Sequence, residues 1–131
     1  MWPTDWTTFT LPLNRDEHLD AIRSAVGFYA NHGIVKVFIA YGFGCDCPDA
    51  DLYQDKLMPL IDVLPFVAAA EEADYYRVGK DNLHLKDMSR RSEFMFYHES
   101  EVYFQTDDLQ LRAELVGIWG QQGWLPVPPA T

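Results

Sequence analysis

With 131 residues, 48% of them hydrophobic and 15% aromatic, the chain can build one sizeable core and is too rich in large apolar groups to stay disordered. Its 20 acidic residues against 10 basic ones give a formal charge of -10, a field that repels phosphate backbones and anionic membranes. Direct nucleic-acid binding is therefore not expected, whereas a basic protein partner would be drawn in.

The start, Met1-Trp2-Pro3-Thr4-Asp5-Trp6, lacks a basic flank and an apolar run, so no signal peptide is expected. No apolar stretch approaches the ~20 residues that span a bilayer. Thr7 to Leu13 reads as a first strand with Phe9, Leu11 and Leu13 on one face, and Pro12 suits its end or a sheet edge. Asn14 and Glu17 form a capping box for a helix whose stripe is Leu19, Ile22, Val26 and Tyr29. Gly33 stops it, with Ile34 folding back onto Tyr29.

Ile34 to Tyr41 is β-branched and apolar, the pattern of a central strand buried on both faces. Gly42 to Pro48 breaks it, and Asp46, Asp49, Asp51 and Asp55 crowd the loop that follows. Lys56 to Ala73 reads as a kinked middle helix, with Leu57, Leu60, Ile61, Leu64 and Ala68 on one side and Pro59 and Pro65 starting or bending its parts. Tyr75 to Val78 and Leu83 to Lys86 are strand candidates around a Gly79-Lys80-Asp81-Asn82 turn.

Ser92 to Thr106 reads as a β-hairpin with aromatic residues on both faces. A three-residue turn would place Phe94, Phe96, Val102 and Phe104 together and leave Met95, Tyr97 and Tyr103 opposite, whereas a two-residue turn changes the sets but keeps aromatic residues on both sides. Asp107 is expected to cap a last helix, with Gln110 reciprocating, Leu111, Leu115, Ile118 and Trp119 as its stripe, and Gly123 bringing Trp124 onto Trp119. Glycines at matching places in the two capped helices, Gly27 and Gly117, suggest that the helices touch there on one face of the sheet. The fold expected is a single acidic α+β domain over 1–131. It has an antiparallel sheet of about five or six strands and two capped helices on one face, open to a ferredoxin-like arrangement.

Few motifs carry chemistry. Cys45 and Cys47 lack a second cysteine pair, are too close to close a useful loop, and read as reduced thiols of a cytoplasmic protein. The four histidines show no ligand spacing, and the aspartate series lacks the glycine and glutamate of an EF-hand, so no metal or cofactor is expected. There is no GxSxG elbow, and Gly79-Lys80 lacks the upstream glycine of a phosphate loop. His98 beside Glu99 reads as a solvated hairpin tip, and Arg90-Arg91-Ser92-Glu93 as a basic turn. No catalytic residue is assigned.

The leading expectation is a stoichiometric binding protein, an inhibitor or immunity-type protein that occludes a basic partner such as a nuclease toxin. Its contact residues would be Phe94, Phe96, Tyr97, Tyr103, Glu99, Glu101, Asp107 and Asp108, together with Asp46, Asp49, Asp51 and Asp55. One alternative is a small enzyme or ligand-binding domain with a pocket near the Gly42–Asp55 loop. Another is a homo-oligomeric subunit, a homodimer for instance, pairing through the hairpin's second face.

Overall fold

The computed structural model describes residues 6–126, so the reading of the first five residues lies outside it. The strands are β1 (Thr7–Phe9), β2 (Lys36–Tyr41), β3 (Lys56–Pro59), β4 (Leu83–Asp87), β5 (Ser92–Phe96) and β6 (Val102–Thr106). The α-helices are α1 (Arg15–Asn31), α2 (Val63–Glu72) and α3 (Leu109–Gln121). The strands form one six-stranded sheet in the order β1-β6-β5-β4-β2-β3. Every pairing in it is antiparallel. This is the α+β architecture expected, although the strand order is not that of a ferredoxin-like unit.

The register sorts side chains by alternation. Tyr41, Leu83, Phe96 and Val102 form one row across the sheet, and Ile39, Leu85, Phe94 and Phe104 form the next. All eight are buried. The helices lie over this side. Phe28 and Tyr29 of α1 meet Phe94 at ring-centroid distances of 6.2 and 5.2 Å. Trp119 of α3 meets Phe94 at 6.5 Å, and Phe66 of α2 meets Tyr41 at 5.4 Å.

The helix ends form as local chemistry dictates. Asn14 accepts from the Glu17 N–H at 2.8 Å, and Glu17 accepts from the Asn14 N–H at 3.1 Å. Gly33 and Gly123 take positive φ, and the N–H groups of Ile34 and Trp124 return to the carbonyls of Tyr29 and Trp119. α1 and α3 do share a face, but Gly27 and Gly117 are not their contact. Both are exposed, and nothing lies within 4 Å of where a side chain would stand on either. The link is instead His32 Nε2 to Glu114 Oε2, at 2.7 Å.

Several local expectations are corrected. Lys56–Pro59 is an edge strand paired to β2, followed by a 3-10 turn over Leu60–Asp62, so the middle helix begins only at Val63. Pro65 stands in its first turn, where a missing N–H leaves no intrahelical bond unmade. The buried side is Leu60, Val63, Val67 and Ala70, while Leu57 and Ile61 are exposed. Tyr75 to Val78 forms no strand, because Tyr76 and Val78 enter the core from irregular backbone.

β1 stops at Phe9, and Leu13 is buried while Phe9 and Leu11 are exposed. The cap of α3 is Asp108, whose carboxylate accepts from the N–H groups of Gln110 and Leu111, while Asp107 pairs with Arg91 at 3.1 Å. Asp108→Ala should therefore cost about 1 kcal/mol, as lost helix caps do. Asp107→Ala should stay within about 0.5 kcal/mol, as exposed ion pairs do. Urea unfolding of both variants checks this, and equal losses would contradict the cap assignment.

Candidate docking face

With the helices on one side, the other side of the sheet carries no helix among the described residues. Its first row runs Phe9, Tyr103, Met95, His84 and Ala40, and its second runs Thr7, Gln105, Glu93, Lys86, Phe38 and Leu57. Phe9 is 46% exposed and Leu57 52%, and Tyr103, Met95 and Phe38 are half-buried. This open face is where the hairpin's second set of aromatic residues emerges.

The rings connect. Phe43 lies 4.8 Å from His98, His98 4.2 Å from Tyr97, Tyr97 5.5 Å from Tyr103, and Tyr103 5.5 Å from Phe9. The result is a stripe of five rings from the loop after β2, across the hairpin tip, to the edge strand. Each end is fixed. Asn82 Oδ1 accepts from the His98 N–H at 2.7 Å and contacts His98 Nδ1 at 2.9 Å, and the Asn82 N–H donates to the Phe43 carbonyl at 2.8 Å. The tip is a three-residue loop, His98-Glu99-Ser100, closed by the Tyr97 N–H donating to the Glu101 carbonyl at 2.9 Å. Ser100 takes φ 77°, the left-handed position such a bulged loop needs.

Carboxylates flank the stripe. Tyr103 Oη donates to Glu101 Oε2 at 2.9 Å, and burial together with that carboxylate pushes the phenol up to about 12. Glu99 is exposed, 4.0 Å from His98 Nε2. In the second row the charges cancel. Asp55 accepts from Lys86 at 3.1 Å and Arg90 at 2.6 Å, Glu93 lies 3.6 Å from Lys86, and Arg90 lies over the Phe38 ring at 4.2 Å. Burial opposes ionisation of Asp55, but the hydrogen bonds from Arg90 and Lys86 outweigh it and lower its pKa.

The twelve contact residues read from the sequence therefore divide. Tyr97, Tyr103, Glu99 and Glu101 stand together on the stripe, and Asp55 lies in the neighbouring ion network. Phe94 and Phe96 are corrected: at 1% and 0% exposure they are core and offer no ring to a partner. Asp107 and Asp108 serve Arg91 and the α3 cap at the opposite end of the hairpin. Asp51 pairs with Lys56 at 3.1 Å, and Asp46 and Asp49 are exposed on the loop. Sequence reasoning missed Phe9, Phe43 and His98 as members of the stripe. The signal was present in Gly42-Phe43-Gly44, an aromatic residue set in a turn where no core periodicity asks for one.

The loop after β2 is pinned. The Asp46 N–H donates to Tyr75, the Tyr53 N–H to Tyr41, and Cys45 Sγ to the Asn82 carbonyl at 3.3 Å. Burial pushes the Cys45 thiol up to about 12, so it is a poor nucleophile. Among the described residues no three His, Cys, Asp or Glu side chains converge as a metal site, and no helix is long and apolar enough to cross a membrane. No protein-family model, curated protein or solved structure matches the chain.

Behind the hairpin, His18 is fully buried, its edge on Phe96 and its Nε2 3.4 Å from the Glu101 carbonyl. Burial lowers its pKa below 6.5 against the opposing pull of that carbonyl. The unfolded chain then binds the extra proton first as pH falls below about 6.5, so stability is full above that value and declines through the folded pKa. Asp55 and Asp87, both held below 3.8, add a second loss at lower pH. Urea midpoints against pH should show the first decline in the native chain and its absence in His18→Gln; an unchanged profile in the variant would contradict the assignment.

Proposed function

We propose that the protein is a stoichiometric binding protein, an inhibitor or immunity-type protein, which occludes a basic protein partner with its helix-free face. The observation that carries this reading is the five-ring stripe flanked by Glu99 and Glu101. Aromatic faces with adjacent carboxylates suit Arg and Lys side chains. Each cation over a ring contributes about 0.5–1 kcal/mol when exposed and ~2 kcal/mol when desolvated. A net charge of -10 steers such a partner to the surface and disfavours self-association. The free thiols of Cys45 and Cys47 suit a reducing compartment such as the cytoplasm.

Size decides how much surface is engaged. Six strands at ~4.8 Å spacing and about five residues at ~3.4 Å make a face of roughly 25 by 17 Å. That is about half of the ~800 Å² that each partner contributes to a stable interface. A partner thus has to cover the hairpin tip and the Phe43 loop as well, which is the direction in which the stripe extends.

An amide NMR titration with a hexa-arginine peptide, and with hexaglutamate as control, tests the proposal. Shifts should centre on Tyr97, His98, Glu101 and Tyr103, weaken with added salt, and require about tenfold more peptide in the Tyr97→Ala/Tyr103→Ala variant. Shifts scattered over the acidic surface and indifferent to that variant would overturn it. So would concentration-dependent dimerisation of the free chain through the same residues, which would assign the face to a second copy.

A further inference from the structure

The tip of the hairpin presents two hydrogen-bond acceptors side by side, and one backbone group fixes which atoms they are. Asn82 is only 7% exposed, and the side-chain atom it turns to the hairpin meets the His98 N–H at 2.7 Å. A backbone N–H can only donate, so that atom is the amide oxygen, Oδ1. The same oxygen lies 2.9 Å from His98 Nδ1 and can only accept, so Nδ1 carries the ring proton. In the neutral imidazole the lone pair is therefore on Nε2.

That lone pair faces a carboxylate. Glu99 Oε1 stands 4.0 Å from His98 Nε2, beyond hydrogen-bond reach. Among the described residues no Lys or Arg pairs with Glu99, and no donor reaches Nε2. The rings of Phe43 and Tyr97, centred 4.8 and 4.2 Å from that of His98, supply flat apolar surface beside the pair. Phe43 is 58% exposed, so the place is open to a partner.

The other charged groups around the tip are engaged or stand behind it. Glu101 accepts from Tyr103, and Asp81 is closed on Arg77 at 2.9 Å. Lys80 follows Gly79, whose carbonyl accepts from Ser100 at 3.1 Å, and makes no ion pair with Glu99. Two neighbouring acceptors without a donor, beside exposed rings, describe the complement of a flat cation.

We propose that His98 Nε2 and the Glu99 carboxylate form a fork that takes the guanidinium of a partner's arginine in preference to a lysine ammonium. The inference rests on the docking face proposed above and names the side chain that its tip selects. A guanidinium offers N–H groups on adjacent nitrogens in one rigid plane and stacks on aromatic faces. An ammonium is a compact, strongly hydrated point charge and uses the rings less well. The fork is also sensitive to pH. A proton on Nε2 turns the acceptor into a donor, lets His98 pair with Glu99 itself, and sets a positive ring where the guanidinium would lie. Arginine recognition is thus full while His98 is neutral and declines as pH falls through its titration.

Imidazole nitrogen NMR of the full chain, at a pH where the ring is neutral, should show the His98 proton on Nδ1 and the lone pair on Nε2. Amide titrations with hexa-arginine and hexalysine then read the fork. Hexa-arginine should half-saturate the shifts of Tyr97, His98 and Glu99 at about fivefold lower concentration than hexalysine. That preference should shrink as the His98 ring protonates. His98→Phe keeps a ring in the stripe and removes the acceptor, so it should lose both the preference and its pH dependence. Glu99→Gln, at an exposed position, should weaken hexa-arginine about threefold and serves where His98→Phe disturbs the tip. A proton found on Nε2, equal response to the two peptides, or a preference intact in both variants would each overturn the fork. If the stripe shifts persist in those cases, the docking face stands without it. No stripe shift with either peptide would remove the docking face and the fork together.

Discussion

Phe94 touches the rings of Phe28 and Tyr29 on α1, Trp119 on α3, Phe104 across the hairpin and Phe96 along its own strand. Through that one side chain the sheet, both capped helices and the hairpin are packed together. A ring at such a junction cannot be truncated without leaving a cavity, a cost of ~3–5 kcal/mol for a buried phenylalanine. The same packing commits the helix layer to one side. Antiparallel sheets accept this, since their second face can meet water if its side chains are suited to it. Here that face keeps an aromatic row, and this is the source of the surplus rings at the surface.

Charge is distributed unevenly in a way that matters for recognition. At least seven of the ten Lys and Arg residues pair with carboxylates: Arg15, Arg23, Lys56, Arg77, Lys86, Arg90 and Arg91. The exposed pairs among them, such as Arg23 with Asp20, contribute little to stability, about 0–1 kcal/mol each. Their effect is to neutralise part of the surface and leave the excess acids in definite places. Among the described residues, Glu99 and Glu101 beside the stripe form no ion pair with Lys or Arg. Unpaired carboxylates thus stand beside an aromatic surface, a setting that favours a cation.

Much of the fold was legible in the residues. Asn14 with Glu17, Gly33 with Ile34 and Gly123 with Trp124 are local codes, needing no tertiary information, and each formed as expected. Alternation within Ser92 to Thr106 left two inward sets open, and the three-residue tip closed by Tyr97 and Glu101 selects Phe94, Phe96, Val102 and Phe104. Failure came where several local patterns were compatible. Leu57, Leu60, Ile61 and Leu64 satisfy helical spacing, yet pairing with β2 drew Lys56–Pro59 into an edge strand and rotated the buried side of the helix that follows. Asp107 and Asp108 are adjacent candidates for one cap, and only the path of the chain after Thr106 decides between them. Of the candidate site, the hairpin's outer residues were readable and its assembly was not. Phe43, His98 and Phe9 come from three separate segments, and no sequence periodicity joins them.

The central claim is a division of the aromatic residues between a core on one side of the sheet and a water-facing stripe on the other. Hydroxyl-radical footprinting of the free chain, read residue by residue, tests it most directly. Phe43, Met95, Tyr97 and Tyr103 should be oxidised readily, while Tyr29, Tyr76, Phe94 and Phe104 stay protected until the chain unfolds. Protection of Tyr97 and Tyr103 in the monomer, or ready oxidation of Phe94 and Tyr29, would contradict the account.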